Sequence, residues 1–220
     1  MNNFLNKLAL STIHYILRLI EEGEHERQDF KYQISDAKKI ARSIAAFANN
    51  SGGRLLVGVK DNGHIVGVES DEEIYMIEQA ASMYCRPEQH VGFELFKVEG
   101  KNVLLAQVTE ATHKPVKAPA EDGHWKVFYR VADENVLASG IHVKALKHSY
   151  KESGGALLSF SEKERELLHY LVDHGGITIT GYSKLVHVSR FAAEESVVKL
   201  LEMKVVSLKY HNGQCLIVKS

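Results

Sequence analysis

One stretch, AFANNSGGRLLVGVKDNGHIVGV from Ala46 to Val68, restricts the fold more than any other part of the chain. Its first residues finish an amphipathic helix, because Ile40, Ile44, Phe47 and Ala48 recur at helical spacing and give one apolar face. Asn49, Asn50, Ser51, Gly52 and Gly53 then end that helix, since glycine reaches positive φ at low cost at a helix C-terminus. Leu55, Leu56, Val57 and Val59 follow, the pattern of a strand covered on both faces. Asp61, Asn62 and Gly63 supply turn chemistry, and Ile65, Val66 and Val68 read as the partner strand of a hairpin.

The rest of the chain supplies neighbours for this unit. Phe4, Leu5, Leu8, Ile13, Ile16, Leu17, Leu19 and Ile20 mark an amphipathic helix ending near Gly23. Arg27, Asp29 and Lys31 alternate with Gln28, Phe30 and Tyr32, which in a strand puts the charges on one face and the aromatics on the other. Ser35 reads as the N-cap of the central helix, with Asp36 in its first turn. A helix over residues 71–84 is stopped by Arg86-Pro87. Strands over 90–98 and 102–109 are joined through Glu99-Gly100-Lys101, and a further strand covers 125–131. A helical segment at 141–148 closes a first domain, residues 1–148, and residues 149–159 read as a linker around Gly154-Gly155. Residues 160–220 then show three helices, the third capped by Ser189, and a hairpin about Asn212-Gly213.

Composition excludes several classes. Hydrophobic residues at 45% and charged residues at 25% are those of a globular protein rather than a disordered one. A formal net charge of -1 gives no global attraction to a polyanion, so a nucleic-acid site has to be a local patch. Cys85 and Cys215 are the only cysteines and lack C-x-x-C spacing, which points away from disulfides and thiolate zinc and towards a reducing cytoplasm. The sequence shows neither a signal peptide nor a membrane-spanning segment. The twelve histidines are scattered without paired zinc spacing.

Four motifs in order resemble the Schlafen AlbA-like (AlbA_2) family. They are GEHERQDFK at Gly23–Lys31, AFANNSGG with its following GVKD, KPVKA at Lys114–Ala118, and YRVADENVLA at Tyr129–Ala138. Asp29 stands where the family usually has glutamate, and Ala132 where it usually has glycine. Three helices followed by a hairpin are similar to a winged helix-turn-helix. Together these imply an α+β fold: a mixed β-sheet domain with flanking helices, then a small C-terminal winged-helix domain. The family has also been labelled ATP-binding, but the chain has no Walker A sequence and the turn accounts for Asp61-Asn62-Gly63 without a nucleotide.

The resemblance implies two chemistries. Some Schlafen members resemble metal-dependent ribonucleases with three carboxylates, which by position are Glu24, Asp29 and Asp61, with Lys31 beside them. Such carboxylates would hold Mg²⁺ or Mn²⁺; no other cofactor is expected. The plainer reading makes Asp29 and Lys31 an ion pair and Asp61 a turn residue. Bacterial members are mostly regarded as DNA-binding or regulatory. The residues that fit that role are Lys38, Lys39, Arg42, Arg54, Lys60, Lys114, Lys117 and Arg130, joined in the second domain by Arg190, Lys199 and Lys209. The expected protein is a cytoplasmic, transcription-regulator-like binder of nucleic acid, DNA rather than RNA. A metal-dependent nuclease, or an interaction module forming a homo-oligomer through the winged helix, are the alternatives.

Overall fold

The computed structural model describes residues 13–68, 71–148 and 159–220. Phe4, Leu5 and Leu8 of the expected first helix, and residues 149–158 of the expected linker, lie outside the described residues. The fold is α+β, and the chain divides into two compact units, residues 1–137 and 138–220.

The first unit is built on a four-stranded sheet of order β1-β2-β4-β3, comprising β1 (Gln28–Lys31), β2 (Gly53–Val57), β4 (Lys101–Val108) and β3 (Val91–Val98). β1 runs parallel to β2, and the remaining pairs are antiparallel. Side chains alternate between the faces of this sheet, and both faces are covered. Leu56, Val103 and Leu105 join Ile16 and Leu19 of helix α1, described over residues 13–22. Leu55, Val57, Leu104, Ala106 and Val108 meet helices α2 (Ala37–Asn49) and α3 (Glu72–Met83) on the other side. This is why the run around Leu55 carries no polar alternation.

Helix α2 is buried almost all round, from Ile40 through Asn49. Its alanines allow close approach to a second, antiparallel sheet, β5 (Lys117–Pro119), β6 (Trp125–Val131) and β7 (Glu134–Leu137). Two asparagines fasten helix to sheet. Asn49 Nδ2 donates to the carbonyls of Val116 and Phe128, each at 2.8 Å, and its Oδ1 accepts from Val116 N at 2.7 Å. Asn50 does the same for Arg130, donating to its carbonyl at 2.9 Å and accepting from its N–H at 3.1 Å.

Two local expectations change. The N-cap of α2 is Asp36, not Ser35: Asp36 is extended, and its Oδ1 accepts from Lys38 N and Lys39 N. The expected hairpin partner at Ile65–Val68 makes only an isolated bridge, Val59 with Ile65, because β1 and β4 already occupy both edges of β2. Asp29 and Lys31 do share one face of β1, as their ion pair requires, while Phe30 packs on the other, and Gln28, Asp29 and Phe30 are all buried. The strand β7, unseen in the sequence, pairs with β6 through a tight turn in which Ala132 takes φ +51.

The second unit contains α4 (Gly140–His148), α5 (Glu162–His174), β8 (Ile177–Thr178), α6 (Ile179–Leu185), α7 (Arg190–Glu202), β9 (Val206–His211) and β10 (Gln214–Lys219). The hairpin β9–β10 turns at Asn212-Gly213, both at positive φ, and β8 pairs with the far edge of β10. Ser189 caps α7 as expected. Helix α4, expected to close the first domain, belongs to this unit: Ile141 joins the core of Leu167, Tyr182, Val197 and Leu200.

Candidate nucleic-acid interface

The strand β1 sets the acidic cluster. Asp29 is buried, with Arg130 Nη2 3.2 Å from its Oδ1 and Lys31 Nζ 2.8 Å from its Oδ2. The lysine lies off the line of a hydrogen bond, which it gives instead to the Phe30 carbonyl at 2.7 Å. Glu24 Oε1 accepts from Phe30 N at 2.9 Å, and its carboxyl is a close neighbour of Asp29. Burial, and the Asp29 carboxyl beside it, push Glu24 above the usual glutamate range. Burial works against ionised Asp29, but Glu24, Lys31 and Arg130 outweigh it and hold Asp29 below the usual range.

Asp61 does not complete a triad. It is exposed on the turn before Gly63, and among the described residues no three His, Cys, Asp or Glu side chains gather as a shared metal ion requires. The donor set does not fit a three-carboxylate metal site, because the Asp29 charge is already matched by two cations. The expected ligands Glu24, Asp29 and Asp61 therefore divide into two neighbouring carboxyls and a separate turn residue.

The expected phosphate-binding cations also divide. Arg130 is only 1% exposed; its Nη1 donates to Asn135 at 3.2 Å, its Nη2 to the Gln28 carbonyl at 3.3 Å, and its plane lies over Phe47. Its role here is structural, a correction to its expected phosphate contact. Arg42 Nε donates to the Pro119 carbonyl at 2.9 Å, tying α2 to β5. Arg54 bonds Gln28 at 2.6 Å and Glu22 at 2.7 Å, and Lys114 bonds the Asn50 carbonyl and Glu110. In the second unit Lys199 is held by buried Glu164 and Arg190 by Glu194.

Lys38, Lys39, Lys60, Lys117 and Lys209 remain exposed, with no ion pair among the described residues. Lys38 lies over the Tyr84 ring and Lys60 over Tyr32. Lys39 also lines a groove of about 750 Å³ with Lys31, Arg42, Lys126 and Arg130. That groove carries Asp29, Asp36, Glu121, Asp122, Asp133 and Glu134 as well, so its interior is close to neutral. The groove is therefore not a cationic surface, and the exposed lysines of each unit are expected cations left without a carboxylate among the described residues.

The sequence model of the family described as "Schlafen, AlbA_2" matches residues 24–139, just over half of the chain. The chain belongs to the Schlafen AlbA_2 family. The matched span of this AlbA_2 chain holds the Glu24–Asp29 pair, the Asn49–Asn50 clamp and Arg130. It shares 22% identity with the DIP2311 protein from Corynebacterium diphtheriae, at TM-score 0.44, over 69% of this chain but only 29% of that one. It shares 27% identity with the N-terminal domain of a protein from Nitrosomonas europaea described as related to the ATP-dependent DNA helicase RecG, at TM-score 0.38. That match covers 56% of this chain and 94% of the other. None of the curated proteins compared matches it. Among the described residues no helix is long and apolar enough to cross a membrane.

Proposed function

We propose that this AlbA_2 chain is a nucleic-acid-binding protein that contacts the phosphate backbone through lysines on the outer face of its first unit. The observation that carries this reading is the sorting of the cations. Arg42, Arg54, Lys114 and Arg130 are spent on holding the fold, whereas Lys38, Lys39 and Lys117 are exposed with no carboxylate at ion-pair distance among the described residues. Lys38 and Lys39 stand side by side in the first turn of α2. Exposed lysines that carry no ion pair in the free protein meet phosphate without first breaking one.

The second unit is a winged helix in this reading, with α7 in the recognition position. Its N-terminal half is occupied from within the unit, however. Lys144 of α4 lies 4.2 Å from the centre of the Phe191 ring and pairs with Glu194 at 3.6 Å and Glu195 at 2.6 Å. That favours docking or self-association over major-groove reading for this unit. The whole chain is then a transcription-regulator-like binder whose first unit holds nucleic acid, DNA in the first instance.

The test is binding of labelled DNA and RNA across a salt series. Affinity should fall with about one unit of log–log slope per neutralised phosphate. Replacing Lys38, Lys39 and Lys117 together by alanine should lower that slope by about three times the single-phosphate value. Binding that ignores salt, or a slope untouched by the triple variant, would overturn the assignment.

A further inference from the structure

Resting on the phosphate-binding reading, we propose that the surface formed by Lys38, Tyr84, Arg86, Lys117 and Trp125 takes the unpaired bases of a single-stranded nucleic acid. The observations form a continuous chain of contacts within the first unit. Lys38 Nζ is 5.8 Å from the centre of the Tyr84 ring, at the C-cap of α3. Two residues on, the guanidinium carbon of Arg86 is 3.9 Å from the centre of the Trp125 ring. The backbone of Arg86 makes a two-way bridge with Lys117, N–H to carbonyl at 2.9 Å and 2.8 Å. Cations and flat rings therefore alternate from the start of α2 across the end of α3 to β5 and β6.

Phosphate attraction alone does not need this alternation. The Arg86 side chain is exposed, pairs with no carboxylate among the described residues, and lies on an indole. A guanidinium laid on an aromatic ring presents its outer plane as a second stacking surface, and base stacking on such planes reads single strands without reading sequence. Lys38 and Lys117 flank it and are exposed, placing ammonium groups where the phosphates between stacked bases would pass. In a duplex the bases are already stacked on each other, so it would gain only the lysine contacts. The occupant that uses every part of the surface is a single strand.

Trp125 is the chain's only tryptophan, so its emission reports on this surface alone. The full chain would be titrated with an oligothymidylate, a duplex of equal length and an abasic strand of equal length. The expected result is tighter binding of the oligothymidylate than of the duplex, with Trp125 emission changed by the base-bearing strand and not by the abasic one. Arg86→Ala and Arg86→Lys should each weaken single-strand binding about tenfold, the loss of one stacked base, while duplex binding hardly moves. Arg86→Lys keeps the charge and removes the plane, so restored affinity in that variant would overturn the stacking role. Equal, salt-dependent binding of all three probes would also overturn it while leaving phosphate binding intact. Absence of binding by every probe at low salt would overturn both.

Discussion

Asp29 shows how a residue can be legible in type and misjudged in role. The sequence offers an aspartate two positions before a lysine, which fits a metal ligand or an ion pair, and the ion pair is what the structure contains. The buried partner, Arg130, is separated by about a hundred residues, and no local pattern announces it. Replacing Asp29 by asparagine keeps the shape but leaves the Arg130 charge buried without a counter-charge. It should cost about 3–5 kcal/mol, measured by urea unfolding at neutral pH. The pH dependence has a definite sign. Asp29 titrates lower in the folded protein than in the unfolded chain, so its contribution is full above the ordinary aspartate value of about 3.9. It is lost as the pH falls through the depressed value. Glu24 is shifted the other way, so its contribution is present at low pH and fades as the pH rises through its raised value. Unfolding curves of Asp29→Asn should therefore lack most of the acid-side loss seen in wild type. An unchanged acid limb would remove Asp29 from this role.

Among the elements, local periodicity decides where some strands lie and tertiary partners decide the rest. Strands β3, β4 and β6 fall within a residue or two of their expected places, because alternation and turn residues define them. The hairpin expected after β2 fails because the same apolar run suits any neighbour, and β1 and β4 outcompete Ile65–Val68. The two asparagines at the end of α2 fit a helix stop in sequence, and their clamp on the second sheet is a tertiary contact no spacing reveals. The glycines of this region can be ranked. Gly52 has φ +73, and a Cβ there would stand 2.7 Å from the Val108 carbonyl oxygen, a backbone atom in a paired strand. Gly63 has φ +79, but its Cβ would meet only the Ile20 side chain, at 3.2 Å. Gly63→Ala should cost about 1–2 kcal/mol for the left-handed backbone alone. Gly52→Ala adds overpacking against β4 and should cost about 2–4 kcal/mol. Thermal melts of the two variants would reverse this order only if β4 can move away from Gly52.

At the scale of the whole molecule, the sequence placed the change of pattern near residue 160, whereas the compact units meet between Leu137 and Ala138. The difference is α4, whose weak amphipathicity gives no sign of which core receives it. Its assignment follows from Ile141 and from Lys144 on α7, and neither residue type is distinctive in sequence. The cores themselves are separate: Ile44, Leu55 and Leu104 belong to one, Leu167, Val197 and Ile217 to another. Two cores with no buried residue in common are expected to melt as two cooperative steps when their stabilities differ, and a core truncation should then move only its own step. Leu167 is fully buried in the second unit, so Leu167→Ala should cost that unit about 2–5 kcal/mol, and Leu104→Ala the first unit a similar amount. Calorimetry of the full chain should show each variant lowering a different transition, with the Trp125 emission following only the transition sensitive to Leu104→Ala. If both substitutions lower one shared transition by the same amount, the two units fold as a single cooperative body and the boundary at Ala138 has no thermodynamic meaning.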